Sequence, residues 1–131
     1  MPKIYFYDTG LLCYLLEIQK DEQLLNHPLR GAIFENLSIS ELYKRQYNQA
    51  LEPNLYFYRE HSGKEIDGLL VRPDGIDLYE MKVGKTFRPE FADNMKALAI
   101  TLNNIRQTTV IYDGESIPPI CINIRDLGNF I

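Results

Sequence analysis

The chain is expected to fold as an α/β domain, a central mixed β-sheet flanked by helices. Three observations point there. The hydrophobic period changes from helical to alternating and back, in the order helix, three strands, helix, strand. Two compact turn sequences, His61-Ser62-Gly63-Lys64 and Pro73-Asp74-Gly75, separate the strands and favour an antiparallel meander. The length, 131 residues, supports one compact domain over residues 1–131 with little room for a second.

Residues 4–7 are aromatic and β-branched and read as a short strand or an extended lead-in. Asp8-Thr9-Gly10 offers a helix cap before the apolar run 11–16, and residues 17–23 read as a solvated connection. A longer helix is predicted over 28–46, with Asn26 or His27 capping and Pro28 in the first turn. On it Leu29, Ile33 and Leu37 form one apolar row. Ala32, Glu35, Ile39 and Leu42 form the next, which sets a carboxylate among apolar side chains. Strands follow at 55–59, 65–72 and 76–83. A second helix runs from Pro89 to about Asn104, with Phe91, Met95, Leu98 and Leu102 on one face. Residues 108–112 read as another strand, Pro118-Pro119 interrupts the chain before 120–122, and 125–130 suits a last short helix.

Composition narrows the function classes. A hydrophobic share of 45% argues against wholesale disorder. The apolar run 11–16 is far short of the about 20 residues that span a bilayer, and Lys3-Ile4-Tyr5-Phe6-Tyr7 lacks the layout of a secretory signal. Cys13 and Cys121 have no metal-ligand spacing around them, so buried free thiols in a reducing, cytoplasmic compartment are expected. A net charge of -4 argues against coating nucleic acid through bulk charge and leaves room for a local site.

The strongest chemical constellation is Glu65-Ile66-Asp67 on one strand and Glu80-Met81-Lys82 on the next. Side chains two apart share a strand face, so Glu65 aligns with Asp67 and Glu80 with Lys82. A hairpin turned at Pro73-Asp74-Gly75 sets Asp67 and Glu80 at neighbouring positions across the ladder. Two carboxylates there repel unless compensated. A hard divalent cation, Mg²⁺ or Mn²⁺, compensates them with oxygen ligands, and Lys82 offsets charge growing on a phosphate. A structural ion-pair ladder across two strands is the competing reading of the same residues.

An acid on a helix, an Asp on a strand and a Glu-x-Lys on the next resemble the PD-(D/E)XK nuclease superfamily. More specifically, KIYFYDTGLLCYLL (residues 3–16), LRGAIFENLSISE (29–41), GKEID (63–67) and EMKVGKT (80–86) resemble one family. It is the domain of unknown function at the C-terminus of bacterial and archaeal AAA-type ATPases. The resemblance implies a restriction-endonuclease-like core of α-β-β-β-α-β order acting on DNA phosphodiesters. It implies Asp67 and Glu80 as metal ligands, with the Met81 backbone carbonyl a third oxygen. Lys82 takes the catalytic lysine position, and Glu35 the helix acid position, binding metal directly or through water. Gly68 and Val83 depart from the family pattern, and Gly68 is expected to loosen its strand.

Gly84-Lys85-Thr86 resembles the end of a phosphate-binding loop, but Tyr79 stands where that loop needs a Gly, so the Walker reading fails. With no ATPase module in it, the chain is expected to be the C-terminal part of a longer AAA-type ATPase. Lys85, Arg88 and His61 are the candidate nucleic-acid contacts. The expected partners are DNA and an ATPase module, in the same or a separate chain, without a membrane; self-association stays open. The alternative function is a catalytically inactive regulatory or protein-interaction module of that ATPase.

Overall fold

The computed structural model describes residues 2–131. The mixed sheet grows from a hairpin between β2 (Glu65–Arg72) and β3 (Gly75–Met81). Their register pairs Arg72 with Gly75 and Gly68 with Tyr79, leaving Pro73 and Asp74 as the turn. Gly75 has φ +145°, and a Cβ there would stand 2.5 Å from the Asn104 carbonyl oxygen, so only glycine lets this turn approach the neighbouring loop. β1 (Leu55–Arg59) lies antiparallel on the outer side of β2. β4 (Ile105–Tyr112) runs parallel to β3, and β5 (Cys121–Asn123) parallel to β4. The sheet order is therefore β1-β2-β3-β4-β5, with β3 central and buried along nearly all its length.

Helices cover both faces. On one, α3 (Arg30–Asn48) packs Ile39 and Leu42 against Leu55, Leu70, Tyr79, Met81, Ile111 and Ile122, and Leu127 of α5 (Leu127–Phe130) joins them. On the other, a 3₁₀ turn (Pro89–Ala92) and α4 (Asp93–Thr101) make the crossover from β3 to β4. Ala92, Met95 and Leu98 there meet Ile66, Leu78, Val110, Tyr112 and Cys121. Two apolar clusters sandwich the sheet, the arrangement expected of a sheet with parallel strands at its centre. At the turn end of β3, buried Asp77 is clamped by Arg72 (2.5 Å) and Arg106 (3.3 Å), tying β2 and β4 to the central strand.

Several elements differ from the sequence reading. Residues 4–7 join no strand, and the chain bends at Tyr7. The Asn36 side chain stands in for a strand neighbour: its Oδ1 accepts from the Phe6 N–H (2.7 Å) and its Nδ2 donates to the Phe6 carbonyl (3.0 Å). After α1 (Thr9–Leu15), the predicted connection 17–23 contains the start of α2 (Asp21–Leu25), too short to show a period. Gln23 caps it, accepting from the Gln19 and Lys20 N–H groups. α3 begins at Arg30 rather than Pro28, so Leu29 sits ahead of it and is exposed, as is Ala32. The helix predicted from Pro89 divides into the 3₁₀ turn and α4, and β4 starts three residues before the predicted strand. Cys13 is half-buried rather than buried, because α1 buries no side chain fully. As expected, the pairing loosens at Gly68: the β1–β2 register slips by one residue between the Tyr58–Ile66 and Tyr56–Leu69 pairs, and the β2–β3 ladder stops at Gly68, although β2 itself continues. Among the described residues, no helix is long and apolar enough to cross a membrane.

Candidate metal centre

Glu35 projects from α3 toward the start of β2, where Glu65 and Asp67 lie two residues apart. One carboxylate oxygen of each lies within 4.8 Å of the others. An ammonium sits among them. Lys3 Nζ is 2.8 Å from Glu35 Oε1 and also contacts Glu65 Oε1. The Tyr5 hydroxyl donates to Glu35 Oε1 at 2.6 Å. Arg59 holds the other Glu65 oxygen through Nε (3.0 Å) and Nη2 (2.9 Å). The Phe57 ring lies 5.4 Å from Lys3 Nζ and 5.8 Å from the Arg59 guanidinium, so one aromatic ring serves both cations.

The backbone opens beside this cluster. The regular β2–β3 ladder ends at the Gly68–Tyr79 pair, and the Met81 N–H then donates to Asp67 Oδ2 at 2.8 Å. A strand residue presents its N–H and C=O to the same edge, so the Met81 carbonyl faces β2 as well. Glu80 is 5% exposed; its Oε1 is paired with Lys82 Nζ at 2.8 Å, and its Oε2 has no hydrogen-bond partner. Lys82 follows the end of β3 and stays partly open to solvent.

These carboxylates crowd one another. Burial, reinforced by the Glu80 charge, raises the Asp67 carboxyl to about 7 against the pull of the Met81 N–H. Burial also raises Glu80, outweighing Lys82. Glu65 is held below its usual range because Lys3 and Arg59 outweigh its burial. Burial draws the Lys3 ammonium down, but Glu35 and Glu65 more than reverse that and hold it above its ordinary value. The donor set is all oxygen, carries excess negative charge and includes a buried carboxylate oxygen with nothing to bind. Those properties suit a hard divalent cation, whose ligand oxygens stand about 3–4 Å apart around metal–oxygen distances of about 2.1 Å.

Of the residues predicted for the site, Glu35 and Asp67 come together, while Glu80 and Lys82 stand beside them as an ion pair. Glu65, aligned with Asp67 by sequence but given no ligand role there, is part of the cluster; its spacing from Asp67 was the available signal. Lys3 and Tyr5 were not expected, since no local pattern ties residues 32 and 30 positions from Glu35 to it. His61 lies exposed in the β1–β2 turn, and Lys85 and Arg88 lie exposed in the loop after β3. Among the described residues, none of the three hydrogen-bonds to the cluster.

Residues 30–127 match a family described as a domain of unknown function (DUF4143), and the chain belongs to that family. Uncharacterized proteins of Mycobacterium bovis and Mycobacterium tuberculosis are each 32% identical to it over 115 residues, covering 87% of this chain and 24% of theirs. The chain thus spans about a quarter of the length of these curated relatives. No solved structure matches it.

Proposed function

We propose that this domain is a divalent-cation-dependent, nuclease-like module of PD-(D/E)XK type, with a restriction-endonuclease-like core. It acts on DNA phosphodiesters as the C-terminal part of an AAA-type ATPase. The observation that supports it most is the buried, unpartnered Oε2 of Glu80 beside the Glu35–Glu65–Asp67 cluster, with Lys82 just past the end of β3. Asp67 and Glu80 would hold Mg²⁺ or Mn²⁺, together with the Met81 carbonyl and with Glu35 directly or through water. The bound cation supplies Lewis acidity toward a phosphoryl oxygen. Lys82 offsets the negative charge that accumulates on the phosphoryl oxygens as a water oxygen, its proton passing to solvent, bonds to phosphorus and the ester bond to the leaving oxygen breaks. Lys85 and Arg88 are free to meet backbone phosphates from the adjoining loop.

Calorimetric titration of Mn²⁺ into wild type and Asp67→Ala tests the centre. Wild type is expected to bind, and the variant at least about tenfold more weakly, a difference of about 1.4 kcal/mol. Equal binding removes the metal reading. For the chemistry, Lys82→Ala is expected to keep Mn²⁺ binding and lose DNA cleavage by about 100-fold or more.

The seated Lys3 ammonium favours a second reading, a non-catalytic regulatory module whose carboxylates serve as an ion-pair network. On that reading Lys82→Ala leaves cellular function intact, and a surface substitution that breaks contact with the ATPase abolishes it.

A further inference from the structure

We infer that Lys3 is a built-in counter-ion of the Glu35–Glu65–Asp67 cluster that competes with the divalent cation for Glu35, so that cation binding releases residues 2–7 from α3. The inference rests on the metal reading above and concerns its regulation. Lys3 Nζ lies within hydrogen-bonding reach of both Glu35 Oε1 and Glu65 Oε1. A cation held by Glu35 and Asp67 competes for the same Glu35 charge. One ammonium neutralises one carboxylate of the cluster, whereas a divalent ion neutralises two.

The segment that carries Lys3 is held by few contacts. It belongs to no sheet, and Ile4 (84% exposed) and Tyr7 (66% exposed) point their apolar side chains outward. A partly open cavity of about 330 Å³ separates it from the apolar side chains of Leu12, Leu16, Leu29 and Ile33. Its polar anchors are the two Asn36 bonds to Phe6 and the bonds of Lys3 and Tyr5 to Glu35, beside the packing of Tyr5 on the sheet cluster and of Tyr7 edge-on against Tyr43. Two of its anchors end on a carboxylate that the cation would claim. Glu65, by contrast, keeps Arg59 when Lys3 departs, so its charge stays compensated on the open strand.

Mn²⁺ titration of wild type, Lys3→Met and Lys3→Arg, with amide exchange followed at Phe6, tests this. Lys3→Met is expected to bind Mn²⁺ about tenfold more tightly than wild type, and Lys3→Arg within about twofold of wild type. Saturating wild type with Mn²⁺ is expected to speed exchange of the Phe6 amide, now protected by Asn36, by about tenfold. If wild type binds Mn²⁺ while Lys3→Met binds no tighter, or if Phe6 exchange is unchanged at saturation, the competition is wrong and the metal centre stands. If neither wild type nor Lys3→Met binds, both fall together. The exchange measurement needs no substitution, so it decides the matter even where Lys3→Met misfolds.

Discussion

Asp67 concentrates the electrostatic tension of the domain. Its carboxyl titrates near 7 in the folded protein against 3.8 for the free group. Between those values the folded state holds a proton that the unfolded chain has lost. The stability linked to that proton is complete below about pH 4 and is lost as pH rises through 7. Asp67→Asn never ionises, and its amide oxygen can still accept from the Met81 N–H. The variant is therefore expected to be more stable than wild type by about 1–3 kcal/mol at about pH 8 without metal, and nearly equal at about pH 4, read from urea midpoints. Mn²⁺ is expected to close the gap at pH 8 by stabilising wild type alone. The residues of this tension were readable in the sequence, because a Glu-x-Asp and a Glu-x-Lys flank one turn. Their pairing was only half readable. Asp67 reaches Glu35 and the Met81 N–H, while Glu80 turns to Lys82, since the ladder opens after Gly68.

Among the elements, the lead-in at residues 4–7 departs most from its sequence pattern. Its β-branched and aromatic composition suits a strand, yet its backbone partner is a side chain. Asn36, 3% exposed, closes a two-bond pair on Phe6 and adds a bond to Thr9 Oγ1 (3.0 Å). Asn36→Ala is expected to cost about 1–3 kcal/mol. It should also raise amide exchange at residues 6–11 well above that of α3, which a uniform loss of stability would not do. The long helix and the β2–β3 hairpin were legible because amphipathic period and turn chemistry agree there. The five-residue α2 and the 3₁₀ start of the second helix were not, since neither is long enough to display a period.

For the whole molecule, stability resides in two apolar clusters on opposite faces of one sheet. Leu42, fully buried between α3 and the sheet, is expected to cost about 2–5 kcal/mol when replaced by Ala. Ile100, 86% exposed on α4, should change stability by less than about 0.5 kcal/mol when treated alike. Urea unfolding of the two variants checks both. The exposed apolar side chains of Leu11, Tyr14 and Leu15 on α1 contribute little to either cluster.

Taken alone, the sequence determined the α/β class, the helix–hairpin–helix–strand order and two of the three clustered carboxylates, Glu35 and Asp67. Those depend on local period, turn residues and spacing along single strands. Only the tertiary structure decided that Lys3 and Tyr5 close over Glu35, that Glu65 joins Asp67, and that Glu80 keeps one oxygen unbonded. The reason is physical. A carboxylate's partners are set by which distant segments pack together, and a lysine 32 residues from its glutamate carries no period that announces the contact.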